Sequence, residues 1–106
     1  MYNGNNRGDY IMAVEKIVRL GNCEYELIKN YKNGFDLSLI EERYTDYFDS
    51  FDYVFGDFSY DKVRLKGFYD KNNTQVRDIN NIENLESYIK NYCAYDCRYF
   101  LLKKIK

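Results

Sequence analysis

The chain has 106 residues, enough for one domain, and contains 13 Tyr and 7 Phe but no Trp, Pro or His. Without His, Ser–His–Asp and Cys–His triads are excluded, and so are zinc sites built on imidazole. The formal net charge is −1, so no global basic field marks a nucleic-acid partner.

Chemistry is therefore left to carboxylates, three cysteines, Tyr, Lys and Arg. The near-zero net charge hides an asymmetry. Residues 36–61 hold eight acids (Asp36, Glu41, Glu42, Asp46, Asp49, Asp52, Asp57, Asp61) against the single base Arg43, whereas residues 62–106 hold ten bases and five acids. Either the two halves neutralise each other locally on folding, or they form a dipolar surface that orients a charged partner. No run approaches the roughly 18 apolar residues that a bilayer span needs. Three cysteines without an export signal point to reduced thiols in a cytoplasmic protein rather than a disulfide framework.

In chain order, residues 1–12 are rich in Asn and Gly and read as a flexible tail, with Met12 an alternative start. Residues 13–106 read as a single domain. Ile17, Val18 and Leu20 run into Gly21-Asn22, after which Cys23, Tyr25 and Leu27 alternate with Glu24 and Glu26, the pattern of a β-hairpin. Residues 30–34 read as a loop. Leu37, Ile40, Tyr44, Tyr47, Phe48 and Phe51 recur at spacings of three and four and predict one helix over residues 37–51. Asp36 or Ser38 caps it, and Ser38 with Glu41 fits a capping box.

Strands follow over residues 53–58 and 63–69, separated by a turn at 59–62. Within the second, Val63 and Leu65 alternate with Arg64 and Lys66, which predicts a half-buried strand with a basic outer face. After a turn at 70–73, Ile82, Leu85, Ile89, Tyr92 and Cys93 predict a second helix capped by Asn80-Asn81. Residues 99–105 form a last strand. The order β-β-α-β-β-α-β predicts an α+β fold, a mainly antiparallel sheet with two helices.

Three groups of residues bear on function. Cys93 and Cys97, four apart, would face one side of an unbroken helix and form a candidate thiol pair. The plainer reading is that both pack the helix-to-strand corner, and a redox pair or half of a zinc site are the alternatives. Cys23 could add a third sulfur only if the first hairpin lay beside this helix. Second, Asp57 and Asp61 flank a short segment between strands and read as turn formers more readily than as an acid–base pair. Third, Arg64 and Lys66 lie among Phe58, Tyr60, Phe68 and Tyr69, a mixture of bases and aromatics that suits a binding surface. No Gly-rich phosphate loop is present.

Several stretches carry a family resemblance. They are Tyr25-Glu26-Leu27-Ile28-Lys29-Asn30-Tyr31 with Gly34-Phe35, Glu42-Arg43-Tyr44, Tyr53-Val54-Phe55-Gly56-Asp57, Arg64-Leu65-Lys66-Gly67-Phe68-Tyr69, and the ending from Tyr92 through Cys93 and Cys97 to Leu102. Over residues 14–105 the chain resembles the YutD-like family of low-GC Gram-positive bacteria. The resemblance implies a cytoplasmic, single-domain α+β protein and brings no catalytic residues with it. Members typically carry Trp where Phe58 stands here, so the aromatic is kept and the indole N–H is lost.

The expectation is a binding or regulatory module rather than an enzyme, with an unidentified protein partner and no cofactor, metal or membrane. Its candidate binding residues are Asp57, Phe58, Tyr60, Arg64, Lys66, Phe68 and Tyr69, with Asp57, Arg64 and Lys66 on one surface of the central hairpin. The alternatives are nucleic-acid binding, and a thiol-based redox or metal-binding role for Cys93 and Cys97.

Overall fold

The computed structural model describes residues 16–105. The tail expected over residues 1–12 lies outside them. Five strands form one sheet: β1 (Ile17–Leu20), β2 (Cys23–Tyr31), β3 (Tyr53–Ser59), β4 (Lys62–Phe68) and β5 (Tyr99–Ile105). They lie in the order β1-β2-β5-β3-β4, and every strand pairing is antiparallel. With the helices α1 (Leu37–Arg43) and α2 (Leu85–Tyr92), this is the α+β architecture expected from the sequence.

Both hairpin turns follow from local chemistry. Gly21 adopts φ +60° between the paired residues Leu20 and Cys23, a conformation that costs a glycine little. The β3–β4 turn is tighter in its demands, since both central residues, Tyr60 and Asp61, adopt positive φ (53° and 65°) between the pair Ser59 and Lys62. Two left-handed residues match the right-handed twist of the flanking strands.

The sheet is covered on both faces. One face carries the larger core, in which Val54, Phe58, Val63, Phe100 and Leu102 from the sheet meet Ile40, Phe48 and Phe51. Position 56 shares this face with Val54 and Phe58 and is glycine because a Cβ there would overlap the tip of the Phe100 ring. On the other face Phe55, Phe68 and Leu101 meet Leu85, with Tyr88, Ile89 and Cys93 packed beside them. Central strand β3 is thus buried along Val54, Phe55, Gly56, Asp57 and Phe58, without the alternation of a one-sided strand.

Two expectations about helices need correction. Residues 37–51 do not form one helix. α1 ends at Arg43, Tyr44 is extended (φ −75°, ψ 133°), and a 3₁₀ segment, Asp46–Ser50, follows under a cap from Thr45. The break serves the side chain of Tyr44, whose hydroxyl bonds to those of Tyr25 (2.7 Å) and to Asp49 Oδ1 (2.7 Å). Ile40, Phe48 and Phe51 still reach the core, while Tyr47 is left 66% exposed. The cap of α1 is Asp36, which accepts from Leu39 N and from the Ser38 hydroxyl. Second, the helix read from Ile82 begins as a 3₁₀ turn, Ile82–Asn84, capped by Asn81.

A bulge between Leu27 and Lys29 shifts the β2–β5 register. Before it, Leu27 pairs with Leu102 on the larger core; after it, Tyr31 pairs with Tyr99 on the face covered by α2. Among the described residues no helix is long and apolar enough to cross a membrane.

Candidate functional site

The register of four strands assembles a row of side chains across the α2 face. Tyr31 on β2 pairs with Tyr99 on β5, Tyr99 with Asp57 on β3, and Asp57 with Arg64 on β4. Directly paired antiparallel residues project to the same face, so the row runs Tyr31–Tyr99–Asp57–Arg64. Asp57 is therefore a mid-strand residue, 2% exposed, and not the turn former expected from its neighbours. Asp61 alone of the two acids sits in the turn.

Arg64 is the partner that makes burial of the Asp57 carboxylate tolerable. Its Nη2 donates to Oδ2 at 2.6 Å and its Nε to Oδ1 at 3.3 Å. A second contact from Nη2 reaches the carbonyl of Tyr92 (3.3 Å), tying the pair to the last turn of α2. Charge-assisted contacts from both ends of a guanidinium fix the carboxylate's orientation as well as its charge. The Asp57 carboxylate in turn holds the Arg64 guanidinium above its usual range.

α2 ends at Tyr92, so Cys93 and Cys97 do not share a continuous helix as their spacing suggested. Cys93 is the C-cap, and the chain then turns through Ala94, Tyr95 and Asp96 (φ +56°), closed by the bond from Cys97 N to Ala94 O. The turn nevertheless brings both sulfurs back over the sheet. Sγ of Cys93, Sγ of Cys97 and a carboxylate oxygen of Asp57 all lie within 4.8 Å of one another. Burial pushes the Cys93 thiol up to about 12, with the Asp57 carboxylate adding to the shift. Burial also raises Cys97, so both are thiols at neutral pH. Cys23 lies elsewhere, packed against the larger core with Sγ 3.9 Å from the Asp49 carbonyl.

The remaining expected site residues divide. Lys66 shares the α2 face with Asp57 and Arg64. Its ammonium lies 5.1 Å from the Phe68 ring centroid and 5.4 Å from that of Tyr88, and burial lowers its pKa. The basic face of β4 is thus exposed at Lys62 and Arg64, and only Lys66 is partly covered, by Tyr88 of α2. Tyr60 stands at the hairpin tip, 97% exposed. Phe58, Phe68 and Tyr69 offer no free aromatic face, because sheet burial on both sides takes up all three. Phe58 lies under the Arg98 guanidinium, whose carbon sits 3.9 Å from the ring centroid.

Residues that sequence reasoning did not single out complete this end of the sheet. Tyr95 in the turn is 100% exposed and Tyr92 61%. Tyr31 stacks on Tyr99 (5.0 Å between centroids) and donates its hydroxyl to Asp96, which also pairs with Lys32. Only the absence of a helical stripe position for Tyr95 could have flagged it in the sequence.

Comparison with known proteins agrees with this architecture. The sequence profile of the YutD-like family, described as "Putative antitoxin YutD-like", matches residues 19–103. A Bacillus subtilis (strain 168) protein named "Putative antitoxin YutD" is 39% identical over 90 residues, spanning 85% of this chain and 99% of that one. The solution NMR structure of protein yutD from B. subtilis superposes with a TM-score of 0.72, covering 88% of this chain and 84% of that chain at 39% identity. With the family profile spanning the sheet and its helices and a relative 39% identical over 85% of this chain, the chain belongs to the YutD-like family.

Proposed function

We propose that this chain is a cytoplasmic binding module that engages a protein partner through the tyrosine-rich end of its sheet. The observation that carries the reading is that exposed tyrosines from four separate segments lie at the same end of the sheet. Tyr60 comes from the hairpin tip, Tyr92 from the end of α2, Tyr95 from the turn after it, and Tyr31 (39% exposed) from the end of β2. Tyrosine and arginine dominate the energetics of protein interfaces, and two arginines belong to the same end of the sheet, Arg64 in contact with the Tyr92 carbonyl and Arg98 over the Phe58 ring.

Tyr60 adds a second support. A bulky, fully exposed residue at φ +53° is a backbone outlier that folding alone gives no reason to keep. The family description, "Putative antitoxin YutD-like", supports a protein partner. An antitoxin neutralises a toxin, and a surface of this type suits covering a protein toxin.

The test is capture of the tagged full chain from its own cells, with and without nuclease, beside the variant Tyr60→Ala/Tyr95→Ala. The expected result is a protein retained after nuclease, weakened about tenfold or more by the double substitution. That protein should slow growth when expressed alone and not when co-expressed with this chain. Loss of every partner on nuclease treatment would instead support nucleic-acid binding. A partner held equally well by the variant would place the interface elsewhere.

A further inference from the structure

We propose that Asp57, Cys93 and Cys97 form a binding site for a thiophilic divalent cation of the zinc class, with two sulfurs and one carboxylate oxygen as ligands and a fourth position open to water. The site is separate from the tyrosine surface in chemistry and does not depend on it.

Geometry comes first. The three donor atoms lie within 4.8 Å of one another. In a tetrahedral site with Zn–S of about 2.3 Å and Zn–O of about 2.0 Å, the donors would be about 3.5–3.8 Å apart. The donors are therefore at most about 1 Å further apart than tetrahedral coordination requires, a distance on the scale of cysteine side-chain rotation. The donors also come from well-held places: the middle of β3, the C-cap of α2 and a turn closed by its own hydrogen bond.

The surroundings match what a bound cation requires. A ligating carboxylate is normally oriented by an outer partner, and Arg64 performs that role here through both of its contacts to Asp57. The ion would sit at the C-terminal end of α2, where the helix dipole favours positive charge.

Charge also balances. Without metal the cluster holds one carboxylate, one guanidinium and two neutral thiols, for a net charge of zero. On binding, each thiol releases its proton to solvent and each sulfur donates an electron pair to the cation. The total of +2, −2, −1 and +1 is again zero. The cation therefore enters a half-buried place without leaving net charge there, which limits the desolvation cost. Two sulfur donors favour Zn²⁺, Cd²⁺ or Co²⁺ over Mg²⁺ and Ca²⁺, which prefer oxygen.

Cobalt titration of the reduced full chain, kept reduced with a phosphine, tests the site directly. The expected result is one Co²⁺ per chain, with thiolate-to-cobalt charge-transfer absorption and the visible bands of tetrahedral coordination, displaced by Zn²⁺. Cys93→Ser and Cys97→Ser should each weaken binding at least about a hundredfold, Asp57→Asn about tenfold or more, and Cys23→Ser not at all. Near-ultraviolet circular dichroism of each variant reports whether it is folded. If Asp57→Asn does not fold, the two cysteine variants carry the decision. Folded reduced protein without the tetrahedral spectrum overturns the proposal. So does a spectrum that survives Cys97→Ser.

Discussion

Asp57 and Arg64 face each other across the β3–β4 ladder, and among the described residues their contact of 2.6 Å is the one ion pair of a carboxylate that is 2% exposed. The two partners are unequal. Asp57 is sealed between β5 and α2, whereas the Arg64 side chain is 48% exposed. Removing either one leaves a different remnant, and this asymmetry can be measured.

Arg64→Gln should destabilise the chain by about 2 kcal/mol, because it strands a buried carboxylate while water reaches only its outer side. Asp57→Asn leaves an exposed guanidinium free to hydrate and should cost less. The double variant should lose less than the sum of the two singles, by about 1 kcal/mol of coupling. Urea denaturation of the three variants checks this, and simple additivity would show that the pair is not coupled.

A second prediction concerns alkaline pH and the opposite face of the sheet. Burial raises Tyr25 from 10.0 to about 12, and burial with hydrogen bonds to Tyr25 and Asp49 raises Tyr44 as well. Between pH 10 and 12 the folded chain keeps phenolic protons that the unfolded chain has released. The unfolded state then binds fewer protons, so stability falls as pH rises through this window and is unaffected below it. Thermal midpoints measured from neutral pH to about 12 should show the fall. The Tyr25→Phe/Tyr44→Phe variant should have a shallower slope there, whatever its stability at neutral pH; an unchanged slope would assign the effect to other groups.

The third prediction separates stability from binding at one residue. Tyr60→Asn should raise stability by about 0.5–1 kcal/mol, since Asn accepts positive φ readily and the side chain it replaces is solvated. The same substitution should weaken partner capture. Equal or lower stability by urea denaturation would mean that the Tyr60 ring contributes to folding after all. A gain in stability with a loss of binding is the usual trade at a functional position.

Much of the architecture was legible because it is written in local patterns. The period-two runs of Cys23, Tyr25 and Leu27 and of Val63 and Leu65, the Gly21-Asn22 turn and the caps at Asp36 and Asn81 each express the chemistry of a few adjacent residues. The motif blocks carried the family in the same way. Local pattern failed where a tertiary contact outweighed it. The stripe over residues 37–51 reaches the core at Ile40, Tyr44, Phe48 and Phe51 but leaves Leu37 and Tyr47 exposed, and the bonds of the Tyr44 hydroxyl to Tyr25 and Asp49 accompany a break that no helical periodicity encodes.

The sequence by itself determined the α+β order of elements, the turns and the family of this protein, because spacing and residue type act over short range. Only the tertiary structure decided which faces of those elements are covered. Phe68 and Tyr69 are both buried because the sheet is packed on both sides, so alternation no longer distinguishes core from surface. The same register carried Asp57 out of a supposed turn and placed it beneath Cys93 and Cys97, thirty-six and forty residues further along the chain. Strand pairing and the docking of α2 are long-range events, and side chains that meet through them share no spacing in the sequence.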